Sequence, residues 1–249
     1  GIIDSIREPN RTTFSRYQYP SALPARVRKK MTEISEKVMT HIGFDHSAFN
    51  LEFFWDEKRD KIWFLEINTR IPQSHSDLFM KVDGASNHQV MLDVALNRDP
   101  EFPKREGKFR VAGKFFLREY QDKRITGIPN KEDILQINEE VPGMLIDIQG
   151  KVGMKLSEIP EQDSYSYATA FIYLGADSQK ELLDKYRKVR EMLRFSYEDL
   201  TIPALFPEKA QQALPETDPQ IAIQVLSSPM ELPVEEDAPM GGMQDMTRP

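Results

Sequence analysis

Apolar and polar positions alternate most clearly over residues 49–68. Phe49-Asn50-Leu51-Glu52-Phe53-Phe54-Trp55-Asp56 and Lys61-Ile62-Trp63-Phe64-Leu65-Glu66-Ile67-Asn68 read as two strands joined by a charged turn. Successive strand side chains point to opposite faces, so Glu66, Asn68 and Arg70 share one. A hairpin turning between Asp56 and about Lys61 brings Glu52 across from that row. Ile62, Phe64 and Ile67 with Leu51, Phe53 and Phe54 predict a hairpin with little open surface.

Helical spacing comes first at Val27, Met31, Ile34, Val38 and Ile42, after Pro24 and before Gly43. Arg26, Arg28, Lys29 and Lys30 crowd its start, where the helix dipole disfavours cations. They form either a solvated face or one turned to something acidic. Residues 8–20 hold Pro9 and Asn10 and read as a loop. Its Arg11, Arg16, Tyr17 and Tyr19 either pack on the scaffold or bind a phosphate or acidic substrate. After the polar stretch 71–77, Leu78, Phe79 and Val82 predict a helix and Asp83-Gly84 a turn. A helix over 87–97 turns Val90, Met91, Val94, Ala95 and Leu96 inward.

Residues 100–107 form a polar linker and a candidate boundary. Beyond it the pattern predicts a strand over 111–120, a return beside it at 124–128, and a short helix over 131–137. A strand reaching Ile148 and a longer one over 165–174 follow, and Ser178 caps a helix running to about Leu193. The fold class is therefore α+β, with units at 1–100 and 108–197. Residues 205–249 are rich in Pro and acids and read as a disordered tail. Within it, 221–226 reads as unstructured or as a short docking strand.

Composition narrows the classes. The 249 residues are 39% hydrophobic, with a mean hydropathy of −0.54. The net charge of −7 argues against a general nucleic-acid surface. The absence of cysteine removes disulfides and thiolate metal sites and fits a cytoplasmic setting. No apolar run approaches the length of a membrane span. No Gly-rich phosphate loop occurs, and His41, His46, His75 and His88 form no Ser/His/Asp order of a nucleophilic site. The chain starts with Gly1 in an apolar run, which reads as a cut.

The chemistry gathers on the hairpin. Two carboxylates and a carboxamide are hard oxygen ligands of the kind Mg²⁺ takes alongside phosphates. Arg70 offers a fork of donors suited to phosphate or carboxylate. The same row also fits a solvated polar face.

Phe49-Asn50-Leu51-Glu52-Phe53-Phe54 followed by Phe64-Leu65-Glu66-Ile67-Asn68-Thr69-Arg70 resembles the metal-binding signature of the ATP-grasp superfamily. The resemblance implies that Glu52, Glu66 and Asn68 hold two Mg²⁺ ions (or Mn²⁺) on the ATP phosphates. Arg70 would contact the transferred phosphate or the substrate. It also implies that the stretch after Arg70 borders the acceptor site, with Ser74, His75 and Arg16 as substrate candidates. The order of elements from 139 to 177 resembles the C-terminal region of biotin-carboxylase-like members. Those carboxylases carry, four residues after the Arg, a Glu that acts as base on bicarbonate; here Ser74 stands there.

The resemblance therefore implies a carboxylate–amine ligase more than a biotin-dependent-type carboxylase. The family's adenine hinge, phosphate-binding Lys and flexible loop have no match before Phe49. The chain is thus expected to be the distal lobe of an ATP-grasp domain, followed by a small α+β subdomain and the tail. It would need the upstream half as a partner and be inactive alone. Its substrates would be a small carboxylate and an amine; homo-oligomerisation is compatible, nucleic acid and membrane are not expected. A non-catalytic interaction module derived from the same fold is the alternative.

Overall fold

The computed structural model describes residues 1–9, 11–72, 75–160, 162 and 166–200. Ser74 and the 205–249 tail lie outside them. Five antiparallel strands form the central sheet, in the order β1-β2-β5-β8-β7. They are β1 (Asp4–Arg7), β2 (Phe14–Tyr19), β5 (Val111–Glu119), β7 (Leu145–Ile148) and β8 (Tyr167–Ala176). The hairpin β3 (Asn50–Asp56) and β4 (Lys61–Asn68) pairs only with itself, and β6 (Lys123–Gly127) pairs with β9 (Ser196–Asp199). Helices are α1 (Ala25–Ile42), α2 (Ser76–Asp83), α3 (Asn87–Ala95), α4 (Lys131–Glu140) and α5 (Gln179–Met192).

Strand alternation gives the sheet two dissimilar faces. One carries Val111, Phe115, Ile172, Leu174 and Ala176, packed on Leu182 and Val189 of α5 and Ile137 of α4. The other carries Tyr19 and Ala112 under Leu78, Phe79 and Val82 of α2. Leu78 and Val82 are fully buried, each stabilising the docking by roughly 1.5–3 kcal/mol. Farther along that face stand Tyr17, Lys114, Phe116, Phe171, Tyr173 and Asp147, since paired residues share a face.

Several expectations change. Residues 14–19 form a strand, not a loop, because β5 supplies a partner far along the chain, with Arg16 opposite Phe115. The return strand β6 pairs with β9 and not with β5. Ala95 and Leu96 of α3 are exposed, and none of its residues is fully buried. The linker 100–107 carries the chain between strands of one sheet. It is tied down by Gly107 N–H donating to Val82 O and Phe109 N–H to Lys81 O. A Cβ at Gly107 would fall 2.5 Å from Lys81 O. Predicted and observed bounds otherwise agree closely for α1, the hairpin, α2 and α5.

Asp83 closes α2 and is 1% exposed. Its carboxylate accepts from Tyr19 Oη at 2.6 Å and from Arg105 N at 3.0 Å. Burial first, and then this bond, raises the Tyr19 hydroxyl well above the ordinary phenol range. No described helix is long and apolar enough to cross a membrane. Asp83→Ala strands two donors and is expected to lower stability by about 1–3 kcal/mol in urea denaturation. A loss below about 0.5 kcal/mol would show that the contact is not a structural anchor.

Candidate functional site

The hairpin turn is built by Asp56 and Asp60. Asp56 Oδ1 accepts from Arg59 N at 3.2 Å, and Asp60 takes a left-handed φ of 49°. Asp60 also accepts from Arg26 Nη1 at 2.5 Å and Trp55 Nε1 at 3.1 Å. Part of the basic run at the start of α1 thus faces an acidic turn. This tie holds the hairpin to α1, though its exposed ion pair adds little to stability.

Along the ladder, Glu52 pairs with Glu66 and Asn50 with Asn68. All four side chains therefore share a face. A bulge follows, since Phe53 pairs with Phe64 and leaves Leu65 without a partner. Like charges opposite one another are unfavourable unless something compensates them. Part of the compensation is Asn68, whose Nδ2 donates to Glu66 Oε1 at 2.8 Å and lies 3.5 Å from Glu52 Oε1. Desolvation first, and then the negative charge of Glu66, raises the Glu52 carboxyl above its ordinary value; Arg70 pulls the other way. Arg70 is exposed, with no hydrogen bond or ion pair among the described residues.

The donor set fits a hard divalent ion. Asn50 Oδ1 is buried and has no hydrogen-bond partner among the described residues. It adds an orphaned acceptor on the same face as Glu52, Glu66 and Asn68. Sequence reasoning passed over Asn50, although its place two residues before Glu52 is a legible signal. No cluster of three or more His, Cys, Asp or Glu that could hold a metal exists among the described residues. The set is two carboxylates with carboxamides, so charge neutralisation by an ion here would be shared with an anionic ligand.

The substrate candidates separate. His75, at the start of α2, sits edge-on to Tyr17 with centroids 5.1 Å apart. Burial and then Lys114 depress its pKa to about 4, so the ring is neutral near neutral pH. Arg16 lies on the opposite sheet face from Tyr17, and its Nε reaches Gln18 Oε1 at 3.4 Å. The structure thus does not bring Arg16 to His75, and Ser74 lies outside the described residues. His88 does have a hydroxyl neighbour, since Ser76 Oγ lies 2.8 Å from its Nδ1. The same hydroxyl donates to Asn87 Oδ1 at 2.6 Å, which makes this a tie between α2 and α3. The hairpin itself is more open than expected, with Phe54, Trp63, Phe64 and Leu65 exposed.

Residues 13–99 match the family described as carbamoyl-phosphate synthase L chain, ATP binding domain. Urea amidolyase of Saccharomyces cerevisiae is 30% identical over 98 residues, covering 39% of this chain and 5% of that protein. Among solved structures, phosphoribosylglycinamide synthetase from Anaerococcus prevotii superposes with a TM-score of 0.60 at 11% identity. L-amino acid ligase from Bacillus licheniformis gives 0.58 at 18%. Each covers 75% of this chain, which spans 46% and 44% of those chains respectively. Urea carboxylase of Kluyveromyces lactis gives 0.53 at 18% identity, covering 75% of this chain and 16% of its own. The chain thus has the ATP-grasp fold, and its residues 13–99 are similar to the ATP binding domain of the carbamoyl-phosphate synthase L chain.

Proposed function

We propose that this chain is part of an ATP-dependent carboxylate–amine ligase. In that reaction a carboxylate attacks the terminal phosphate of ATP and releases ADP. An amine then attacks the acylphosphate, forming an amide and releasing phosphate. The observation that carries the reading is the convergence of Glu52, Glu66 and Asn68 within hydrogen-bond reach, beside Arg70. Glu52, Glu66 and Asn68 would hold two Mg²⁺ ions, or Mn²⁺. Such ions, when bound, neutralise phosphate charge in phosphoryl transfer. Arg70 would orient the transferred phosphate, a role that suits an exposed guanidinium with no ion pair among the described residues.

Two further parts belong to the same proposal. The exposed Phe54, Trp63, Phe64 and Leu65 would take the upstream half of the domain as partner. His75, close after Arg70 in the chain, would border the substrate. A biotin-dependent-type carboxylase is the second reading, in line with the likeness to the urea carboxylase of Kluyveromyces lactis. Ser74, standing where those carboxylases carry a basic Glu, puts it behind the ligase. ADP release stimulated by bicarbonate and free biotin, with no dependence on an amine, would reverse that order.

Glu66→Gln in the full-length enzyme is expected to abolish amine-dependent ADP release while leaving the circular dichroism unchanged. Retained turnover would refute the assignment. In the same variant the Glu52 carboxyl should titrate closer to its ordinary value by carbon NMR, because one cause of its raised pKa is gone. In the metal-free parent chain the sign is fixed by linkage. The folded state keeps the Glu52 proton longer, so this group lowers stability as pH rises from its ordinary value through the raised one.

A further inference from the structure

Lys114 lies in the middle of β5, between Tyr17 of β2 and Tyr173 of β8. It is 6% exposed. Its Nζ stands 4.0 Å from the centre of the Phe171 ring, 5.3 Å from Phe116 and 5.5 Å from Tyr173. It makes no hydrogen bond or ion pair among the described residues. Asp147 of β7 attracts its charge, and Arg118 of the same strand opposes it. Tyr17 of β2 and His75 of α2 complete the wall. Asp77 of α2 sits near enough to act on Tyr173 but is itself paired to Lys81 at 3.1 Å.

An ammonium held among aromatic rings with no hydrogen-bonded counter-ion is partly desolvated, and the ring faces offset only part of that cost. A methionine would fill the same space without it. Burial accordingly lowers the Lys114 pKa to about 8. The missing counter-charge is the chemical signature of an anion site, and its walls are aromatic on three strands. The place is the polar end of the α2-covered face, against the residue that opens α2 soon after Arg70.

We propose that Lys114 anchors the carboxylate of the acyl substrate, and that Phe116, Phe171 and Tyr173 select one with an apolar or aryl body. The assignment rests on the ligase reading for the word substrate, but the binding itself needs neither ATP nor metal. It is tested by NMR titration of the full chain with 3-phenylpropionate and, separately, inorganic phosphate. The parent chain should bind 3-phenylpropionate more tightly than phosphate. Lys114→Met should bind it about tenfold or more weakly, while Lys114→Arg, which keeps the charge, retains binding and shows that the face still folds. Affinity should fall as pH rises past about 8, where the ammonium loses its proton. The binding is read without ATP or metal, so a failed ligase assignment and a failed anchor give different results. No binding by the parent, or equal binding by Lys114→Met, overturns the anchor. Phosphate binding as tight as 3-phenylpropionate overturns the apolar selection.

Discussion

The buried carboxylate of Asp83 is the contact on which the arrangement of the chain depends. It joins Tyr19 of the second strand, the end of α2 and the backbone of the linker at Arg105. Around it, Leu78, Phe79 and Val82 lay α2 across the sheet. The start of that helix is thereby held over Tyr17, and the chain after Arg70 is brought to the sheet face that bears Lys114. The charged node is affordable in a small core because both of its contacts are hydrogen bonds to a fully buried acceptor.

The hairpin obeys a different constraint. Its carboxylates face each other across the ladder, and only one amide group bridges them. A cross-strand pair of this kind is unfavourable for folding, and it leaves a strongly negative, exposed face with an orphaned Asn50 oxygen. Function explains such a conflict better than stability does. The apolar residues left exposed on the same hairpin have the same character. They are poorly placed for a solvated surface, a cost that the proposed interface would relieve.

Local pattern made much of this legible. The period of two over 49–68 predicted the hairpin and brought Glu52 near the Glu66–Asn68 row, but the Glu52–Glu66 pairing itself comes from the bulge, since the register of Asp56 opposite Lys61 and Phe53 opposite Phe64 would otherwise put Leu65 across from Glu52. Helix spacing and caps predicted α1, α2 and α5. What escaped was set by distant partners. Phe14–Tyr19 is strand only because Val111–Glu119 lies beside it, and Lys123–Gly127 pairs with a strand at the end of the described chain. The burial of Lys114 has no local signal, since it comes from α2 and aromatic rings on neighbouring strands. The bulge at Leu65 carries no composition signal. The neutral state of His75 likewise depends first on its burial and then on Lys114, far away in sequence.

The most direct measurement is paramagnetic broadening by Mn²⁺ in the presence of ATP, read on the side-chain signals of the full chain. The account predicts selective loss of the Glu52, Glu66, Asn50 and Asn68 signals, reversed by excess Mg²⁺. Broadening elsewhere, with these four signals intact, would contradict it.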